Sequence, residues 1–193
     1  MAPADRAALR SRVVVVGVCG SIAAYKVAVA VRLLVKAGAE VHVAMTPAAT
    51  RFVGPVTFRA LSRRPVITDM WAPDAPWDEP HVALGQRAAV MLVAPATADA
   101  LARLAAGLAD DVVSATVLAT RAPVLLAPAM SAEMAAAPVV TDNLARLRAR
   151  GMHVIGPERG ELASGQVGTG RMSEPDAIVD RLATLVGEPG VPR

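Results

Sequence analysis

The chain has 193 residues, a length that one core of roughly 100–200 residues can serve, so a single domain is expected. Hydrophobic residues make up 54% and charged residues 19%, which excludes a disordered chain. The net charge is only +3, and that apolar surplus over what a monomer this small buries points to oligomer interfaces.

Taken in order, residues 1–12 read as a tail and 13–187 as the domain, with a second short tail at 188–193. Val13 to Val18 is an apolar β-branched run that suits a buried parallel strand. Ser21 is placed to cap a helix running to about Lys36, which Gly38 stops. Val41 to Met45 follows as a strand. Ala48 to Ser62 is mostly helical, with a break near Gly54-Pro55. Val66 to Pro80, with Pro73, Pro76, Trp71 and Trp77, reads as a long loop. Strands are expected at Ala89 to Ala94, Val124 to Ala127 and Met152 to Ile155. Between them lie helices at Thr97 to Ala106, Asp111 to Thr120 and around Thr141 to Arg150. Gly156 to Gly170 is a glycine-rich loop, and Glu174 to Val186 is a closing helix. Strands alternating with helices mean an α/β fold with a parallel sheet, whose ligands sit beyond the carboxyl ends of the strands.

Several function classes are disfavoured. Eighteen of the 20 cations are arginine and aromatics are 3%, with no basic run interleaved among them, so nucleic acid is not expected. Cys19 is the single cysteine, which excludes a disulfide framework or a multi-cysteine metal site. No apolar run reaches the roughly 18 residues of a membrane span. The start has no long apolar region and does not read as a signal peptide. A cytoplasmic setting is the default expectation.

Five stretches offer chemistry. Gly17-Val18-Cys19-Gly20-Ser21-Ile22 joins a strand to a helix start, where free N–H groups suit a phosphate. It is neither G-x-G-x-x-G nor a P-loop, and a tight turn would need the same glycines. Ala94-Pro95-Ala96-Thr97-Ala98-Asp99 leaves room for a flat ring, although Thr97 or Asp99 also serves as a plain helix cap. His81 follows the Pro/Trp loop, where a base could face a cleft; a solvated or capping histidine fits equally. His42 and His153 lie within strands and read as structural. Pro128 to Met134 brings two methionines to a strand end, for an apolar pocket or for core filling. The loop ending in Arg171-Met172 could be a mobile lid carrying an arginine for a carboxylate, or a plain surface loop.

In register, these five stretches resemble the homo-oligomeric flavin-containing cysteine decarboxylases over about residues 13–185. That family includes phosphopantothenoylcysteine decarboxylases and the peptidyl-cysteine decarboxylases of lantibiotic-type biosynthesis. The resemblance implies a doubly wound, Rossmann-like flavoprotein domain. It implies FMN held by Gly20, Ser21 and Ile22 at the phosphate, with Thr46 and Phe52 helping. Ala96, Thr97, Ala98 and Asp99 would lie along the ring, with Ala129 also on the cofactor. His81 matches the family's active-site histidine. Ser131, Met134, Ser164, Arg171 and Met172 would contact substrate. Homotrimers, often four together as a dodecamer, are implied, with FMN between subunits.

Three positions depart from the family pattern. Ser131 stands for an Asn that orients the substrate carboxylate, Ala135 for a Trp, and Ser164 for the Cys of the pantothenate-pathway members. In the family, oxidation of the substrate thiol creates an electron sink from which carbon dioxide leaves. The pantothenate branch then returns a hydride while the Cys supplies a proton, a step for which serine is a poor acid. Ser164 therefore points to oxidative decarboxylation of a precursor peptide ending in cysteine, with an enethiol product. A pantothenate-pathway decarboxylase is the alternative, and a non-catalytic flavin-binding regulator is a third.

Overall fold

The computed structural model describes residues 5–72 and 79–186. The strands are β1 (Val13–Val18), β2 (Glu40–Met45), β3 (Val66–Ile67), β4 (Val90–Ala96), β5 (Val124–Pro128), β6 (His153–Val154), β7 (Glu158–Glu161) and β8 (Val167–Arg171). The helices are α1 (Ala24–Lys36), α2 (Pro55–Ser62), α3 (Pro80–Arg87), α4 (Ala98–Ala106), α5 (Val112–Ala119), α6 (Ala132–Ala136), α7 (Pro138–Ala149) and α8 (Pro175–Leu185).

Six strands form one parallel sheet in the order β3-β2-β1-β4-β5-β6. Val14 sits in register between Val41 and Val90, which fixes β1 at the centre. The chain winds outward from β1 to β3, then crosses back to β4. The connections leave β1 and β4 in opposite directions, and a crevice opens past their carboxyl ends. Central strands are covered on both faces, and so β1 is apolar at successive positions rather than alternating.

Period-two side-chain direction divides that run between two cores. Val14, Val16 and Val18 face α1, α2 and α8, while Val15 and Cys19 face α4, α5 and α7. Leu125 and Leu126 on β5 are fully buried on opposite faces in the same way. Each such side chain contributes roughly 1.5–3 kcal/mol of burial. Gly17 has a packing reason: a Cβ there would lie 2.6 Å from Val113 Cγ1, so α5 packs directly on the strand.

Several expectations need correction. The stretch from Val66 to Pro80 is not all loop: Val66 and Ile67 pair with Val43 and Ala44 as an edge strand. Two apolar residues beside Pro65 were too short to show a period. Pro73, Pro76 and Trp77 lie outside the described residues. A helix missed in the sequence, α3, begins at Pro80, whose fixed φ suits the first helical position. His81 is therefore in the first turn of a helix, not in a loop. The glycine-rich segment is no open loop either. It folds into an antiparallel hairpin of β7 and β8. Ser21 does not cap α1 directly; its Oγ accepts from the Ala23 N–H at 3.3 Å, in the turn before the helix. Ahead of β1, residues 6–9 form a 3-10 turn whose Leu9 is buried, and Arg6 Nε lies 2.6 Å from Asp180 on α8. The tail boundary at residue 187 falls outside the described residues.

Candidate active site

Two clefts open at the carboxyl edge of the sheet, on either side of the Gly20-Ser21 turn. The first, of about 450 Å³, is walled by Cys19, Gly20, Thr46, Ala48, Thr97 and Asp99, together with Val93, Val113 and Met134. It lies at the β1/β4 switch point. Gly20 is required by close approach: a Cβ there would meet Ala48 Cβ at 2.5 Å. The turn after β1 and the turn after β2 thus touch through backbone and one methyl. Thr46 Oγ1 accepts from the Ala49 N–H at 3.2 Å, which leaves its own proton to donate into the cleft.

The opposite wall is built by two helix starts. Thr97 caps α4 by accepting from the Ala100 N–H at 3.2 Å, so of the two candidate caps it is Thr97 that serves. Asp99 instead bonds Arg103 Nε at 2.9 Å, and Arg103 also reaches Asp110. Asp111 caps α5, accepting from Val113 N–H at 2.8 Å and Ser114 N–H at 3.0 Å. The Cys19 thiol is buried in this wall. Burial first, then Asp111 and Asp99, push its pKa well up, which favours the S–H form.

The second cleft, of about 580 Å³, is lined by Ser21, Tyr25 and Lys26 of the α1 side, Ala129 to Ser131, and Glu161 to Ser164 with Arg171 and Met172 of the hairpin. Ser131 caps the short α6, its Oγ accepting from the Met134 N–H at 3.3 Å; its hydroxyl proton remains available. The hairpin is docked, not loose: the Met130 N–H donates to the Gly170 carbonyl at 3.0 Å. Gly168 and Gly170 allow this. A Cβ on Gly168 would lie 2.6 Å from Ala132 Cβ, and one on Gly170 would fall on the Met130 carbonyl. The glycines read as lid flexibility in the sequence are contact positions. Arg171 is braced by Glu158 at 3.1 Å, with its Nε buried.

The expected residues divide accordingly. Gly20, Thr46, Thr97, Ala98, Asp99 and Met134 line the first cleft, although Met134 was expected at the substrate. Ser21, Ile22, Ala129, Ser131, Ser164, Arg171 and Met172 line the second. Met172 is at once a wall residue and a fully buried core residue. Ala96 is buried at the strand end beneath the first cleft, and Phe52, half exposed, lines neither. His81 opens onto a third hollow with Met70, Trp71, Ala115 and Leu118, and its Nδ1 is buried without a hydrogen-bond partner. Tyr25 and Lys26 went unmarked in the sequence; Lys26, one of only two lysines, was the available signal.

The remaining histidines are structural in setting. His42 is buried on β2 and bonds Glu40 at 2.8 Å. His153 lies 3.3 Å from Arg181. Among the described residues, no cluster of three or more His, Cys, Asp or Glu could hold a metal, and no helix is long and apolar enough to cross a membrane.

A switch-point crevice with small residues thus stands beside a cleft walled by a docked hairpin, at the edge where parallel α/β sheets bind ligands. The family model described as Flavoprotein matches residues 4–187, and the chain belongs to that family. It is 53% identical over 175 residues to the coenzyme A biosynthesis bifunctional protein CoaBC of Mycobacterium tuberculosis, covering 91% of this chain and 41% of that protein. The corresponding Haemophilus influenzae protein is 45% identical over 180 residues, covering 93% and 45%. The chain thus spans less than half the length of these curated relatives. Among solved structures, a serine-substituted mutant of PPC decarboxylase complexed with pantothenoylaminoethenethiol superposes with a TM-score of 0.82 at 28% identity, covering 91% of this chain and 98% of that one. The FMN-dependent cysteine decarboxylase SpaF gives 0.78 at 32%, covering 92% and 97%.

Proposed function

We propose that the chain is an FMN-dependent decarboxylase acting on phosphopantothenoylcysteine. The FMN-dependent decarboxylase class follows from the family and from relatives on both sides of it. The observation that favours this substrate is the 53% identity to CoaBC over 91% of this chain; on superposition the two branches do not separate in its favour, at 28% for the PPC decarboxylase against 32% for SpaF and 36% for TvaF. The peptide expected from Ser164 gives way to it and stands as the second reading, favoured by the absence of any thiol among the residues lining the second cleft.

The first cleft fits FMN. Apolar Val93, Leu104 and Val113 with small Ala98 suit a flat ring, while the Gly20 turn and Thr46 present donors for a phosphate. Bound there, FMN would supply a two-electron oxidant for the substrate thiol. The chain's own residues do the rest. The Ser131 hydroxyl donates to the substrate carboxylate across the second cleft, and the hairpin closes over the substrate from the Ser164 side. Tyr25 is the one phenol in that wall, with a hydroxyl proton to donate.

His81, in its separate hollow, acts as base on a site completed by another copy of the chain. Trp71, 79% exposed, and half-exposed Leu118 beside it provide the apolar contact for a homotrimer or a dodecamer of trimers. Light scattering giving a flavin-loaded monomer at micromolar concentration contradicts that assembly.

Mass spectrometry of products tests the substrate. With phosphopantothenoylcysteine, the expected product is lighter by carbon dioxide alone, with the flavin oxidised at the end of turnover. Reaction only with cysteine-ended peptides, losing carbon dioxide plus two hydrogens and leaving reduced flavin without oxygen, overturns this in favour of the second reading.

A further inference from the structure

The wall of the substrate-side cleft carries a cation to which the proposed reaction gives no role. Lys26 lies in the first turn of α1, its side chain only 17% exposed, and lines the cleft with Tyr25 and Ser21. Its Nζ donates to Glu174 at 2.9 Å. An ammonium has three donors, so two remain. Arg171, the other cation of the cleft, shares Glu174 at the longer distance of 3.7 Å, but its guanidinium is also bonded to Glu158 in the hairpin, and its Nε packs against Gly160.

We infer that Lys26 is the phosphate-recognition residue of this cleft, selecting a phosphorylated thiol carboxylate over its unphosphorylated form. The inference rests on the pantothenate reading and extends it to a named residue. The reacting carboxylate is the wrong partner for an ammonium. A full cation there would stabilise the ground state more than the transition state, in which the charge leaves the carboxylate. Hydroxyls suit the reacting carboxylate, and Ser131 and Ser164 in the cleft wall supply them. A phosphate remote from the reacting carbon suffers no such conflict, since its charge is unchanged through the reaction and contributes binding alone. Glu174 holds the ammonium toward the cleft in the meantime. Its side chain is half exposed, so it can turn to water when a dianion arrives, whereas Lys26 is held by its buried stem. Glu161 is exposed at the hairpin edge, where water screens it.

The test compares KM for phosphopantothenoylcysteine and pantothenoylcysteine in the flavin-loaded protein, beside calorimetric titration of phosphopantothenate and pantothenate. Wild type is expected to favour the phosphorylated compounds by roughly tenfold or more, the scale of a lost charge-assisted bond. In Lys26→Met both ratios collapse to about one, while Lys26→Arg keeps part of the preference. Glu174→Gln frees the ammonium and is expected to lower KM for the phosphorylated substrate alone; it decides the matter if Lys26→Met does not fold. Equal KM values in wild type, an unchanged ratio in Lys26→Met, or a Glu174→Gln variant without the shift overturns the phosphate site and leaves the proposed function standing. A wild type that turns over a cysteine-ended peptide and neither pantothenate compound overturns the proposed function, and the phosphate site with it.

Discussion

The cofactor-side pocket and the substrate-side cleft meet at one turn, Gly20-Ser21, yet they are built by different means. The first is made by the sheet and by capped helix starts: β1, β2 and β4 end there, and Thr97 and Asp111 hold their helices with short side-chain bonds. The second borrows one wall from a two-stranded hairpin outside the sheet, whose register with the body depends on a docked backbone bond at Met130 and on two glycines. Sheet-anchored walls move little, since shifting them disturbs two cores. A docked hairpin can be exchanged or redecorated without touching the sheet. On the proposed function, the chemistry shared with the family falls to the first region and the choice of substrate to the second.

The largest effect should come from breaking the first region. Gly20→Val places branched carbons into Ala48 and should abolish flavin retention, read as loss of the yellow absorbance with the far-ultraviolet spectrum preserved. A variant that purifies yellow would mean that the turn is not the cofactor's cradle.

Next is His81→Asn, which belongs to neither cleft of one chain. Flavin and fold should persist while turnover drops roughly 10²–10⁴-fold, as for a positioned acid–base group. Near-native turnover would make His81 structural.

Gly170→Ala breaks the second region alone. Its methyl collides with the Met130 carbonyl, so the hairpin must lift. A displacement of about 1 Å costs on the order of 10²-fold in turnover. Flavin content should not change; loss of flavin together with activity would show that the two regions are one unit.

The smallest effect lies at the opposite end of the sheet and serves as a control. Glu40 is held below the usual carboxylate range, first by the bond from His42 and then by Arg64 and Arg87. His42 is held below the ordinary imidazole value chiefly by burial. The lowered carboxylate stabilises the fold above its unfolded value of about 4.3 and loses that contribution as pH falls through the folded value. The lowered imidazole acts in the same direction: below about 6.5 the unfolded chain takes up a proton that the folded chain refuses. Thermal stability should therefore decline from pH 7 to 4, and Glu40→Gln should flatten the lowest part of the curve. Calorimetry across that range checks the sign.

Much of the first region was legible from residues alone. β-branched runs, glycines at strand ends and the cap-forming Thr97 act over a few neighbours, so local pattern reports them. The strand alternation likewise implied a parallel sheet with its ligand edge at the carboxyl ends. The second region was legible only as a glycine-rich stretch. Gly168 and Gly170 look like flexible loop positions until Met130 and Ala132 are brought against them from about forty residues away. The same holds for Lys26, which the sequence presents as one helical cation and the fold turns toward the hairpin. His81 was read only as following a loop, and its place in a helix was missed, because Pro80 signals a break as readily as a helix start. Local propensity and periodicity thus determined five strands of the parallel sheet, most of the helices between them and part of one wall of the site. Which distant backbone each glycine meets, and which charge faces which cleft, depends on long-range packing, and that was decided only when the chain closed on itself.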